Sequence, residues 1–149
     1  MLAFGIGHVL YITSMAIRFP GYEMNLLWSA LGSAAIVGVM FLVCVYAMKM
    51  QFGKFLIPSI AYAFLLCWFV VLSATYVKPA QGSASAGILL AGAILFVLSD
   101  MVLSTTYFSK PANYERKGML NPETRLMIIV NLVTYYLAQF IIALSLLFI

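Results

Sequence analysis

Long apolar stretches alternate with short clusters of charge, proline and glycine along this chain. Charged residues divide it into five apolar runs: Met1 to Ile17, Leu26 to Met48, Phe55 to Val77, Ser85 to Phe108 and Leu126 to Ile149. Arg18, Pro20 and Gly21 end the first run, Lys49 the second, Lys78-Pro79 the third and Lys110-Pro111 the fourth. A helix crosses a bilayer core with about 20 apolar residues, within a range of roughly 17 to 25. The pattern therefore predicts an all-α integral membrane protein, a bundle of five transmembrane helices forming one domain over residues 1–149. The first run lacks the basic start and the small-residue cleavage site of a signal peptide, so it is read as a short span. Asn121-Pro122-Glu123 reads as the start of the fifth helix: a capping Asn, a Pro at the first helical position and an acid in the first turn.

Composition agrees with this pattern. Of the 149 residues, 65% are hydrophobic and 8% charged, whereas soluble domains carry roughly 25% charge. Such a chain is neither a water-soluble globule nor disordered. Cys44 and Cys67 both lie inside apolar runs, which excludes a disulfide framework. The net charge of +4 comes from basic residues at or near the ends of the runs, where they set topology and meet lipid headgroups, so nucleic acid is not the expected partner. Loops one and three hold Arg18 and Lys78. Loops two and four hold Lys49, Lys54, Lys110, Arg116, Lys117 and Arg125. The positive-inside rule places the second set, and with it the N-terminus, in the cytoplasm. The expected location is a bacterial cytoplasmic membrane.

Small residues let helices approach closely in lipid. Ala30, Ala34 and Gly38 form one such stripe on the second helix, and Ser83, Gly87 and Ala91 another at the start of the fourth. Both are expected to pack within the bundle.

Ionisable groups at depth are the informative ones, because a central charge costs about 2.5–3.5 kcal/mol on insertion scales. Asp100 is the only Asp in the chain, and it sits inside the fourth run. His8 is the only His, inside the first run, with Tyr11 one turn further on. Counted at 1.5 Å per residue from the cytoplasmic ends of their helices, both lie about 10–12 Å deep. Asn131, Tyr135 and Gln139 recur at spacing four on one face of the fifth helix. Asn131 and Tyr135 overlap the Asp100 layer, as does Tyr62 on the third helix, while Ser99 and Ser104 flank Asp100. One His and one Asp are too few for a metal hydrolase, which uses three or four ligands. Ser99 and Asp100 are neighbours on a helix and point about 100° apart, which disfavours a Ser-His-Asp triad. A carboxyl kept partly protonated by its apolar surroundings is the natural tool here. It can give and take protons, while His8 and the tyrosines orient substrate or water.

The runs Phe4-Gly-Ile-Gly-His-Val-Leu-Tyr-Ile12, Pro58-Ser-Ile-Ala-Tyr62, Gly92-Ala-Ile-Leu-Phe-Val-Leu-Ser-Asp100 and Tyr135-Tyr-Leu-Ala-Gln139 carry a resemblance. In content, order and spacing they resemble the YhhN-like lysoplasmalogenase family over essentially the whole chain. The resemblance implies a multi-span helical membrane enzyme that hydrolyses the vinyl ether bond of lysoplasmalogens, giving a fatty aldehyde and a glycerophospho-ethanolamine or -choline. By the resemblance, Asp100 matches an acidic position of the family's active site, and His8, Tyr11, Tyr135 and Gln139 match its polar interior. Taken with the depth layer, the expected catalytic groups are Asp100 and His8 and the expected substrate-binding residues Tyr11, Tyr62, Ser99, Asn131, Tyr135 and Gln139, with no cofactor and no metal. The chain's partners would be the lysophospholipid substrate and membrane lipids. Family members usually carry further spans before the His-x-x-Tyr helix, including a Gly-Asp motif that supplies a second acid. Here the chain starts at Met1, just before His8. A shortened homologue, a fragment, or a half completed by a second copy or a partner chain supplying the missing spans is therefore expected. The competing expectations are a lipid-binding or assembly subunit without activity and, ranked last, a small transporter or proton relay using Asp100 and His8.

Overall fold

The computed structural model describes residues 2–18, 23–47, 49–77, 84–109, 121, 124–145 and 147. Lys78, Ser83, Lys110, Arg116, Lys117, Pro122 and Glu123, which carried topology, packing or capping expectations, lie outside them. The described residues form five α-helices and no strand: α1 (Leu2–Arg18), α2 (Glu23–Leu42), α3 (Leu56–Val77), α4 (Ala84–Phe108) and α5 (Arg125–Ser145). Helix α2 continues as a π-helical turn over Val43–Ala47, and a 3₁₀ turn, Gly53–Phe55, leads into α3. By length and composition, four stretches can each cross a membrane: Leu26–Ala47, Gly53–Val77, Ala84–Phe108 and Arg125–Ser145. The apolar part of α1, Ala3–Ile17, is shorter.

Helix α3 is the hub, packing against α1, α2 and α4, while α4 makes its most extensive contact with α5. The core gathers Ile12 and Met15 from α1, Leu66, Phe69, Leu72 and Tyr76 from α3, Ala93 and Phe96 from α4, and Ala138 and Ile142 from α5. Large apolar side chains cover the outside instead: Ile17, Trp28, Ile57, Tyr107 and Phe140 are all exposed. Small hydroxyls are turned inward, with Ser33, Ser73, Ser99 and Ser145 buried. This distribution suits a hydrocarbon surrounding, in which close packing and internal hydrogen bonds hold helices together.

The close contacts use small residues, but not the two expected stripes. On α2 the inward face is Ser29, Ser33 and Val37, one position off the expected Ala30, Ala34 and Gly38, and Ala34 and Gly38 are exposed. Trp68 Nε1 on α3 donates to Ser29 Oγ at 2.9 Å, which sets that rotation of α2. On α4, Gly87 and Ala91 face outward, and Ala86, Gly92 and Ala93 are buried. A Cβ built on Gly92 would lie 2.7 Å from Ile142 Cγ1 and 3.0 Å from Ile142 N, so only a hydrogen fits between α4 and α5 there.

The α2–α3 connection is tightly built. Met50 N donates to Cys44 O at 3.0 Å, and Gln51 N donates to the Phe108 carbonyl at 3.0 Å, satisfying an end carbonyl of α4. Lys49 (φ 53°) and Gly53 (φ 49°) take the left-handed backbone that makes this turn short. The Phe52 ring packs between Phe41 and Phe108, with centroids 5.0 and 4.6 Å away. Helix α5 begins later than the Asn121 cap implied. Thr124 O accepts the bond from Ile128 N at 3.2 Å, and the Asn121 carbonyl accepts from both Thr124 N and Thr124 Oγ1. A turn at Asn121 thus precedes the helix.

Candidate functional site

Asp100 lies two turns inside the end of α4, and Tyr62 lies near the start of α3. Because the two helices pack side by side, Tyr62 OH donates to Asp100 Oδ2 at 2.5 Å. Asp100 Oδ1 has no hydrogen-bond partner among the described residues. One turn back on α4, the Phe96 ring fills the centre of the layer, 4.7 Å from the His8 ring and 5.6 Å from the Tyr135 ring. Ser99, adjacent to Asp100 on the helix, faces α5 instead: its Oγ lies 3.0 Å from Asn131 Oδ1 and 3.2 Å from the Asn131 carbonyl. The two neighbours therefore serve different helices, as a 100° step requires.

His8 is buried, 2% exposed. Its Nδ1 donates to the Phe4 carbonyl at 2.8 Å, since a carbonyl only accepts. In the neutral ring this leaves the lone pair on Nε2, which is buried without a hydrogen-bond partner. The ring meets Tyr11, Tyr62, Phe69 and Phe96 edge to face. Tyr11 stacks on Phe69 and its hydroxyl reaches Gln139 Oε1 at 3.4 Å, joining α1 to α5.

A cavity of about 760 Å³ opens beside this layer. It runs from Leu66 and Val97 toward the end of the bundle that carries Lys49 and Lys54, where Met50, Phe52 and Phe108 line it. Its walls are mostly apolar, and its polar side chains include Ser59, Tyr62, Ser99, Asp100, Asn131 and Tyr135. His8, Tyr11 and Gln139 do not line it.

The residues expected to form one layer thus fall into two linked groups. Asp100, Tyr62, Ser99, Asn131 and Tyr135 face the cavity. His8, Tyr11 and Gln139 stand behind it, with His8 packed on Tyr62 and Phe96, Tyr11 on Phe69, and Gln139 paired with the Tyr11 hydroxyl. His8 and Asp100 are not hydrogen-bonded to each other; Tyr62 meets both, its ring perpendicular to that of His8 and its hydroxyl on Asp100. In the sequence, depth alone puts Tyr62 in the layer, and nothing there pairs it with Asp100. Phe96 and Ser59 are not singled out by it either. The Ser59-x-x-Tyr62 spacing, one helical turn, was the available sign for Ser59. For Phe96, a large ring in an apolar run, no sign existed.

A helical bundle with an apolar exterior, a buried polar layer and an apolar cavity beside a carboxyl is the class of protein that fold and site define. The chain belongs to the YhhN family, whose model matches residues 1–146. Comparison with curated proteins and with solved structures gave no match.

Proposed function

We propose that this protein is a membrane enzyme of five spanning helices that hydrolyses the vinyl ether of a single-chain ether phospholipid, as a lysoplasmalogenase does, with its N-terminus on the cytoplasmic side. The observation that carries the reading is the Tyr62–Asp100 pair on the wall of an apolar cavity. Membership of a family that includes lysoplasmalogenases adds to it.

Vinyl ether hydrolysis begins with a proton delivered to the alkene carbon remote from the oxygen. The C=C electron pair takes the proton, and the other alkene carbon becomes an oxocarbenium ion. Water adds to that carbon and loses a proton, and the hemiacetal breaks its C–O bond to give an aldehyde and the glycerol hydroxyl. A protonated Asp100 suits the first step. Tyr62 donates to Oδ2, so the acidic proton sits on Oδ1, the other oxygen of the carboxyl. The carboxylate that remains stabilises the cation and takes the proton from the attacking water, one group serving as acid and then base. Ser99 and Asn131 hold α4 to α5 beside it. His8 keeps Tyr62 in place through ring contact and stands away from the reacting atoms. Lys49 and Lys54, at the same end as the cavity, suit an anionic headgroup.

The test is aldehyde release from lysoplasmalogen by the purified protein and by Asp100→Asn. The Asn variant keeps the shape and loses the acidic proton, so turnover should fall about 10²–10⁴-fold. A folded Asp100→Asn with at least half the parent's turnover removes the catalytic assignment. An inactive parent favours a lipid-binding role.

A further inference from the structure

Serine and threonine hydroxyls inside a helix commonly donate to a carbonyl three or four residues back. Ser29, Ser33, Ser73, Ser104, Thr134 and Ser145 do so in this bundle. Ser59 does not. It is 6% exposed, its Oγ has no hydrogen-bond partner, and the residue lines the cavity. An unpaired buried hydroxyl is unfavourable, and a ligand group that pairs with it relieves that cost.

Ser59 lies one turn before Tyr62 on the same face of α3, displaced about 4.5 Å along the helix axis toward the end that carries Lys54. Tyr62 in turn holds Asp100 Oδ2 at 2.5 Å. Ser59 and the Tyr62–Asp100 pair therefore line the same cavity, with Ser59 one helical turn nearer the Lys54 end than Tyr62. In a single-chain glycerolipid, four bonds separate the ether-bearing alkene carbon from the oxygen of the free hydroxyl on the second glycerol carbon, about 5 Å when extended. That length is close to the axial step from Tyr62 to Ser59 along α3.

We propose that Ser59 is a substrate-positioning residue that pairs with the free second-carbon hydroxyl of a single-chain glycerolipid and so sets the alkenyl ether against Asp100. The assignment rests on the lipid-hydrolase reading above. A serine hydroxyl both donates and accepts, which suits another hydroxyl. A second acyl chain at that carbon removes the donor that pairs with Ser59. The residue thereby selects for lipids with one chain.

Binding tests this independently of turnover. The probes are a saturated 1-O-alkyl glycerophosphocholine with the free hydroxyl and its 2-deoxy counterpart, titrated against the purified protein in detergent micelles. The parent should prefer the hydroxyl compound about five- to tenfold, the worth of one hydrogen bond. Ser59→Ala should bind both alike, with unchanged elution on gel filtration, and Ser59→Thr should keep part of the preference. A parent without preference, a parent that binds neither probe, or a Ser59→Ala that keeps the parent's preference overturns the assignment. A parent that discriminates the probes but releases no aldehyde retires the hydrolase reading and leaves Ser59 as a hydroxyl-reading group. A parent that hydrolyses vinyl ether lipids while binding both probes equally does the reverse.

Discussion

Gly92→Ala measures how far the α4–α5 contact depends on one missing methyl group. The added Cβ meets Ile142 Cγ1 at 2.7 Å, Ile142 N at 3.0 Å and Ile141 Cγ2 at 3.2 Å. Non-bonded carbons rest about 3.5–4.0 Å apart, so the first contact is short by nearly 1 Å. Ile142 is 2% exposed and has little freedom to rotate away. Its backbone nitrogen moves only if α5 moves. Overpacking of this kind costs about 1–3 kcal/mol. Alanine also favours the helix over glycine by up to about 1 kcal/mol, which works against the clash. Gly38→Ala supplies the reference, because a Cβ on Gly38 meets nothing within 4 Å and gains the helix term alone. The assay is reversible unfolding in mixed micelles with rising dodecyl sulfate fraction. Gly92→Ala should be less stable than Gly38→Ala by about 1–3 kcal/mol. Ile142→Ala should cost less in the Gly92→Ala background than alone, with an interaction term of about 0.5–3 kcal/mol. If Gly92→Ala is as stable as Gly38→Ala, the close approach of α4 and α5 is wrong. The Ser99–Asn131 placement, two turns along the same interface, then loses its support.

The remaining expectations concern single contacts. Tyr62→Phe removes the hydrogen bond on Asp100 Oδ2, and aldehyde turnover should drop about 10- to 100-fold, the worth of a bond to a group that becomes charged. Tyr11→Phe, which does not line the cavity, should retain most of it, and equal losses in the two variants would contradict the division between front and back groups. A double-mutant cycle of Trp68→Phe and Ser29→Ala should give a coupling of about 0.6 kcal/mol, and at most about 1.7, as bonds between membrane helices do; no coupling in the micelle unfolding assay would place α2 in another rotation. Lys49→Gly relieves a left-handed residue and should raise stability by about 0.5–1 kcal/mol, whereas Lys49→Val should lower it. Equal effects in thermal unfolding would mean that the tight α2–α3 turn is not held in that conformation.

Where the helices lie along the chain is legible in the apolar runs alone. The runs 55–77 and 85–108 match Leu56–Val77 and Ala84–Phe108 almost residue for residue. A hydrocarbon core of fixed thickness demands apolar stretches of one length, and charges can sit only at their ends. The depth of Asp100, Tyr62, Asn131 and Tyr135 follows from the same count, at 1.5 Å per residue. Which way each helix faces does not. In water, the polar side of a helix marks the outside. In an apolar surrounding a leucine is equally at home facing lipid or facing a neighbouring helix, so the sequence pattern leaves rotation open. Contacts between helices decide it: Trp68 on Ser29 turns α2 one position from the expected stripe, and Ile142 against Gly92 chooses the buried face of α4. The pairing of Tyr62 with Asp100, the retreat of His8 behind that pair and the unpaired hydroxyl of Ser59 all depend on those rotations. They arise only when α1, α3, α4 and α5 are packed together.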